Sequence, residues 1–555
     1  MKTYLMLVLL VISAALNIPA SAFQSDPELG FGSSSVRYAP DQASPDMSKT
    51  WQARAWKAER IHTQLLVRSK SDLKNVRVTF SGLKKAGGGT IAGSQLDARF
   101  VELVWTDEFG PGCGHRKTKD FDSSQVADRI SNAKTKNIPA NNLQAVWLTA
   151  DVPATAEAGD YQGQVTVHAG KAYTLPVKIT VIDRRLPDPA AYSFDLDLWQ
   201  HPVAIARVQG LKAWSAEHFA AMKPYYTMLA RAGQKRVTVS MIDEPWNHQT
   251  YDDFPSLITW TKKKDGNWSY DYTLFDQYVQ FVMDCGINKQ ISCYTMIPWK
   301  LAFTYQDETT GRKDTLKASP GSAAYNEFWA RMLKDFGRHL RQKGWFEKTA
   351  ISMDERPMKA MQEVIKLVKS VDPAWKLTMA GDYHPEIQAA LYDYCIASKF
   401  QFEPEVLAAR RKQGMISTWY TCCTEPYPNG FTFSGPDEHV WIGWYTAAKD
   451  FDGYLRWAYN SWPARPFEDS RFTSWPAGDT YQVYPDAQTS IRFEKLIEGV
   501  QDFEKIRQLR GDWKKKGETA KLRELEALLK SLEIANLARE TATKQLEKGR
   551  ELLNR

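Results

Sequence analysis

Apolar and polar residues alternate through much of the first third of the chain. IHTQLLVR, VRVTFSGL, ARFVELVWT, LQAVWLTADV, YQGQVTVHA and YTLPVKITVID change character at nearly every second position. On a pleated strand that alternation sends one set of side chains to a core and the other to water. Pro153, Gly159 and the Ala169-Gly170 pair punctuate these runs, as turns between strands do. Short strands at this spacing predict a β-sandwich, and we place that domain, with an N-terminal extension, at residues 23–185.

Beyond the linker VIDRRLPDPA the rhythm changes. SFDLDLW, RVTVSMID, ISCYTMIPW, TAISMD, KLTMAG, DYCIAS, MISTWYT and GYLRWAY are apolar runs of strand length. Most are separated by helical patterns such as AAYNEFWARMLKDFGRHLRQKG and MKAMQEVIKLVKS. Eight repeats of strand then helix predict a (β/α)8 barrel over residues 190–510. A doubly wound sheet is the alternative, but neither GxGxxG nor a P-loop pattern occurs. After the eighth strand comes a long excursion, then RFEKLIEGVQDFEKIRQL, where Leu496, Val500, Phe503 and Ile506 share an apolar face. Residues 511–555 predict a helical extension, expected to pack on the barrel rather than to dimerise; oligomeric state is left open.

The first 22 residues read differently. Lys2 precedes the apolar stretch LMLVLLVISAAL, and Ala20-Ser21-Ala22 offers small residues at cleavage spacing, the pattern of a secretory signal. The expectation is an exported protein, periplasmic or extracellular. No later run approaches the roughly 20 apolar residues of a membrane span. The formal charge of +7 is spread over 72 basic and 65 acidic residues without a basic block, which argues against a nucleic-acid partner. Twenty tryptophans and 24 tyrosines suit sugar-ring faces as well as cores. Cys113, Cys285, Cys293, Cys395, Cys422 and Cys423 lack zinc-site spacing and are expected as buried free thiols, with one buried disulfide after export as the alternative. Nine histidines include no HExxH; no metal and no cofactor are expected.

Five Asp-Glu pairs remain as candidate chemistry: Asp107-Glu108, Asp243-Glu244, Asp307-Glu308, Asp354-Glu355 and Asp437-Glu438. Barrel chemistry sits at the C-terminal ends of strands. Asp107-Glu108 falls in a loop of the first domain. Asp307-Glu308 and Asp437-Glu438 fall in polar and Gly/Pro loops and are expected to face water. Asp243-Glu244 ends the second strand and Asp354-Glu355 the fourth. Ordinary glycosidases set two carboxyls across the sugar from each other, which sequence neighbours reach poorly. Neighbours suit cleavage in which the substrate's own 2-acetamido oxygen attacks. An Asp then holds the acetamido N–H, and a Glu serves as acid and later base. This geometry does not choose between the second and fourth strands.

A resemblance does. SMDERP, LRWAYNSWP, GDTYQVYP and RFEKLIEGVQDFEKI resemble glycoside hydrolase family 123, the β-N-acetylgalactosaminidases, within a wider group of bacterial proteins sharing the barrel. The leading sandwich is in the matching order, and the likeness covers nearly the whole chain after the leader. It implies substrate-assisted, retaining hydrolysis of terminal β-linked N-acetylhexosamine from glycans or glycolipids. Asp354 then polarises the amide and Glu355 is the acid/base, leaving Asp243-Glu244 a rim or structural pair. The late segments are less specific for galactosamine activity than for the wider group. N-acetylglucosaminidase or another barrel specificity is therefore an alternative, as is a noncatalytic carbohydrate-binding protein.

Further substrate contacts are sought at strand ends. His201 follows strand one; Asp382 and His384 follow strand five; Trp419 and Tyr420 follow strand seven. Trp457, Tyr459, Asn460 and Trp462 surround strand eight, and Asp479 and Tyr481 lie in the excursion. Tyr420, Tyr459 or Tyr481 is expected to supply a hydroxyl to the acetamido group. Arg492 is expected to pair with an acid across the barrel.

Overall fold

The computed structural model describes residues 26–43, 45–110, 112–114 and 124–555; the expected leader, 1–22, lies outside them. The N-terminal domain is a sandwich of two mainly antiparallel sheets. In one, Glu28–Gly32, Arg60–Arg68, Gln144–Asp151, Leu96–Thr106 and Ser124–Ile130 lie side by side, and Thr489–Ser490 from the far end of the chain adds a last strand. The other runs Trp51–Lys57, Lys171–Arg185, Gly159–Ala169, Leu73–Phe80 and Lys136–Ile138. Between them pack the inward halves of the alternating runs, among them Leu65, Val67, Leu148, Val165 and Ile179. The six expected strands form. Glu28–Gly32, Trp51–Lys57, Thr90–Ile91, Ser124–Ile130 and Lys136–Ile138 form as well. WQARAWK shows why these are hard to read: its burial does not alternate, and it is held by parallel pairing to Lys171–Arg185.

The second domain is an eight-stranded parallel barrel: β1 (Asp195–Leu198), β2 (Arg236–Ser240), β3 (Gln290–Tyr294), β4 (Thr349–Met353), β5 (Lys376–Gly381), β6 (Asp393–Ala397), β7 (Ile416–Tyr420) and β8 (Gly453–Arg456). Each expected run supplies one strand. The β1–β2 seam has a single backbone bridge, Leu196 to Gln234, and glutamines complete it. Gln234 Oε1 accepts from Leu198 N at 2.8 Å, and Gln200 Oε1 accepts from Thr238 N at 2.9 Å. Side-chain amides thus satisfy backbone groups that a buried seam cannot leave unpaired.

A mixed sheet of Thr259–Lys262, Trp268–Asp271, Ala302–Asp307 and Arg312–Lys317, two antiparallel hairpins joined by a parallel pairing, is inserted among the loops around β2 and β3. Asp307 closes its hairpin and is buried, accepting from Thr309 N at 2.7 Å, which corrects the expectation that it faces water. Asp437 is corrected likewise. It lies in the first turn of the helix Pro436–Ala448, buried against Lys495 at 3.0 Å and Arg550 at 2.6 Å. Glu438 accepts from the backbone of Asn429 and Gly435 there.

The helix Ile491–Lys516 links the two domains. Its apolar face meets Pro436–Ala448, where a Cβ on Gly443 would fall 2.0 Å from Gly499 O; only glycine permits that approach. Its polar face is buried too, against the sandwich. Arg492 meets Asp128 at 3.0 Å, Glu494 meets Arg60 at 2.9 Å and Lys505 meets Glu59 at 2.5 Å. The partner expected for Arg492 is therefore an acid, but of the sandwich. The last helices, Thr519–Ser531 and Ala542–Leu553, pack on the barrel, and Trp56 Nε1 of the sandwich donates to Leu553 O at 3.0 Å. Among the described residues no helix is long and apolar enough to cross a membrane.

Candidate active site

β4 ends at buried Met353, and the chain turns at once into Asp354 and Glu355 at the C-terminal mouth. Both line a cavity of about 770 Å³. Asp354 Oδ2 accepts from the Trp299 indole N–H at 2.9 Å, and Oδ1 accepts from Glu355 N at 2.8 Å. Glu355 Oε1 accepts from the Tyr420 hydroxyl. At the end of β5, Gly381 lies close under Glu355: an added Cβ would meet Met379 Cε at 2.8 Å and Glu355 Cα at 3.5 Å.

These surroundings set the proton affinities. Burial raises the Asp354 pKa from its ordinary value, against the Trp299 and Glu355 N–H groups and the Arg356 charge. Burial also raises Glu355, and the neighbouring Asp354 charge adds to it, while the Tyr420 hydrogen bond opposes both. Asp354 is clamped by donors that favour its ionised form. Both carboxyls are pushed toward holding a proton, Asp354 against these donors and Glu355 while open to the cavity.

Aromatic rings make the walls. Trp199 and Trp246 line the cavity and cluster with Tyr294, centroids 4.5–5.3 Å apart. Trp457 meets Trp475 edge-on at 5.6 Å. Trp475 comes from the long excursion and donates to Gln249 O at 2.8 Å. Cys113 of the sandwich is disulfide-bonded to Cys423 after β7, and both line the cavity. The expectation of free thiols throughout is thereby corrected; it holds for Cys285, Cys293, Cys395 and Cys422.

Of the residues expected from sequence, Asp354, Glu355, Asp382, His384, Tyr420 and Trp457 line the cavity. The others are buried elsewhere. Trp419 precedes Tyr420 on the same strand and therefore points the opposite way, donating to Thr446 Oγ1 at 2.9 Å beneath the outer helix. The Tyr459 hydroxyl donates to Tyr225 O at 3.1 Å. Trp462 Nε1 donates to Val483 O at 2.6 Å. Tyr481 is fully buried under the Arg492 guanidinium, 5.1 Å from its ring centre. Asn460 exchanges two 2.9 Å bonds with the His201 backbone, tying the loops after β1 and β8. The His201 ring is buried between Ala204 N and Asp252 O, and burial lowers its pKa to about 3, so it stays neutral.

Asp479 does not line the cavity but supports it. Fully buried and paired with Arg456 at 2.7 Å, it accepts from Trp457 Nε1 at 3.1 Å. Asp243 and Glu244 staple their own loop, accepting from Ser256 N and from His248 and Phe254 N. Sequence reasoning missed Trp199, Trp246, Arg356, Lys399, Glu425 and Trp475 as lining residues. Trp199 and Trp246 carried a usable signal, since each lies shortly beyond a barrel strand.

A cleft of this build, two carboxyls under aromatic walls at a barrel mouth, suits glycoside cleavage. The sequence model of the glycoside hydrolase 123 catalytic domain matches residues 199–509, and that of the glycoside hydrolase 123 N-terminal domain matches 31–169. This chain belongs to glycoside hydrolase family 123. A solved family 123 glycoside hydrolase from Clostridium perfringens, whose reported hydrolysis is of glycolipid glycans, superposes with a TM-score of 0.84 at 26% identity, covering 92% of each chain. A family 39 glycoside hydrolase from Bacteroides cellulosilyticus WH2 scores 0.35 at 12% identity, covering 81% of this chain and 82% of its own. No curated protein matched. As a family 123 member, the chain is a glycoside hydrolase whose partner is carbohydrate.

Proposed function

We propose that this exported glycoside hydrolase releases terminal β-linked N-acetylgalactosamine from glycans or glycolipids, with retention at the anomeric carbon. The acetamido carbonyl oxygen attacks C1 as the glycosidic bond breaks, and Glu355 gives its proton to the departing oxygen. Asp354, ionised and held by the Trp299 N–H, accepts from the acetamido N–H and stabilises the cyclic oxazolinium-like intermediate. Glu355, now ionised, takes a proton from water, which attacks C1 and reopens the ring.

One observation carries this reading: sequence-adjacent carboxyls enter one aromatic-walled cavity, one clamped by donors and the other open to it. The second hypothesis is N-acetylglucosaminide cleavage, since the two sugars differ only in the direction of one hydroxyl. The relative's glycolipid glycans favour neither sugar by themselves. Hydrolysis of paired aryl β-GalNAc and β-GlcNAc substrates, with the anomer followed by NMR, tests both points. Faster release from the GalNAc compound as the β-anomer is expected. Release first as the α-anomer rules out the mechanism, and preference for GlcNAc rules out the specificity.

A further inference from the structure

In the mechanism above Asp354 acts ionised, yet burial pushes it toward holding a proton. Two donors oppose burial from hydrogen-bond distance, the Trp299 indole and Glu355 N. A carboxylate offers about four acceptor positions, which leaves room for another. Trp246 stands beside it. Its ring lines the same cavity and is held by Trp199, Phe254 and Tyr294, with centroids 4.6–5.3 Å away. Its Nε1 is buried and makes no hydrogen bond among the described residues, although buried polar groups are nearly always bonded. The indole already acts on Asp354 in the sense of a donor, favouring the ionised form, but short of a full bond.

Both tryptophans depend on one loop, and the acid pair after β2 holds that loop. The backbone there is left-handed at Glu244, Asn247 and His248, with φ of 51°, 52° and 60°, a conformation uncommon outside glycine. Glu244 accepts from His248 N and Phe254 N, and Asp243 accepts from Ser256 N at 2.9 Å. Inside the turn so fixed, Pro245 O accepts from Trp299 N at 3.1 Å, and Trp246 is the next residue. The Arg356 guanidinium covers the Trp299 ring from 4.4 Å. The acids that end the second strand thus arrange two indoles around the first acid of the fourth.

Resting on the hydrolysis reading above, we propose that Trp246 is a positioning residue, the second indole donor to ionised Asp354, and that Glu244 acts through it by holding its loop. Charge on Asp354 draws the Trp246 N–H into the bond it lacks, so the two indoles clamp one carboxylate. The other titratable or charged groups facing Asp354 are Glu355, Arg356 and Tyr294.

Indole N–H resonances of 15N-labelled protein, assigned by Trp246→Phe and Trp299→Phe, read the contact without catalysis. The series is made in Glu355→Gln, where the nearby carboxyl that titrates is Asp354. The Trp246 and Trp299 signals should move downfield together as pH rises, with one midpoint, and neither should do so once Asp354→Asn is added. Trp246→Phe removes a donor to the ionised form, so the midpoint read at Trp299 should rise by about one pH unit. Glu244→Ala should raise it likewise, and Glu244→Gln, which keeps one acceptor for the loop, should raise it less. A Trp246 signal that does not titrate overturns the proposal, as does a Trp299 midpoint left in place by Trp246→Phe. An unmoved midpoint in both Glu244 variants removes Glu244 from it. With Glu355 intact, Trp246→Phe should move the acid limb of kcat/KM for an aryl β-GalNAc substrate upward by the same amount. If the NMR midpoints shift while that limb stays in place, the role given to Asp354 in hydrolysis fails and the clamp stands.

Discussion

The Tyr420 hydroxyl donates to Glu355 and favours its ionised form, while burial and the Asp354 charge favour the protonated one. Tyr420→Phe removes the opposing contribution, so the Glu355 pKa rises further and its acid form persists to higher pH. The alkaline limb of kcat/KM should therefore move upward in pH. Trp299→Phe removes a donor that lowers the Asp354 pKa; that pKa rises, and the acid limb should also move upward, narrowing the active range from below. A pH–rate profile of each variant measures both shifts, and an unmoved limb excludes the residue assigned to it. Glu355→Gln should lower turnover about 10²–10⁴-fold on natural glycans and far less on aryl substrates with good leaving groups. At this scale the sequence was legible where a residue ends or follows a barrel strand, as Tyr420, Asp354 and Glu355 do. Trp419 was misread because facing alternates along a strand and one residue of register exchanges pocket for core, whereas Tyr459 lies beyond the end of β8, buried with its hydroxyl on Tyr225 O. Arg356 was overlooked because nothing local says that Trp299 will stack on it.

Elements position these side chains from a distance. Trp457 stands on the cavity wall because Asp479, in the excursion after β8, accepts its N–H while paired with fully buried Arg456. Asp479→Ala leaves that guanidinium without its counter-charge, and breaking a buried pair costs about 3–5 kcal/mol; a large drop in Tm is expected. Asp479→Asn keeps an acceptor for the indole and tests placement instead. KM for the natural glycan should rise while kcat changes little, and a selective fall in kcat would show that Trp457 serves the chemistry itself. All eight barrel strands were legible, since fully buried strands read as apolar runs between helical patterns. The inserted sheet was not. Trp268–Asp271 is only four residues and mostly half-buried, and Arg312–Lys317 is polar and mostly exposed, so neither periodicity nor apolar content marks them. The disulfide was equally hidden, because Cys113 and Cys423 are separated by 310 positions and meet only when the sandwich docks on the barrel.

At the scale of the whole molecule, the helix Ile491–Lys516 is where sequence pattern and structure diverge most. Its apolar face was legible, yet its charged residues Glu494, Lys505 and Arg492 are buried as well, against the sandwich. Burial alone would raise the Glu494 pKa, but Arg60 and His62 pull it well below the usual range. Glu494 thus remains charged at neutral pH, and the stability it contributes is lost only as strong acid protonates it. Lys505 meets Glu59, whose other oxygen accepts from Trp56 N at 2.6 Å, so one carboxylate ties the helix and a sandwich turn together. Removing either charge singly, as Lys505→Met or Glu59→Gln, should destabilise the protein by about 3–5 kcal/mol, because the partner stays buried and unpaired. The double variant Lys505→Met/Glu59→Leu removes both charges and should recover much of that loss, less the Trp56 N bond, worth about 1 kcal/mol. A double-mutant cycle by chemical denaturation measures this coupling. If the interface holds the domains as one cooperative unit, the single variants should shift one common transition. Separate transitions for sandwich and barrel would show that the helix merely touches the sandwich. Catalysis should respond as well, because Cys113 reaches the cavity only while the sandwich stays docked.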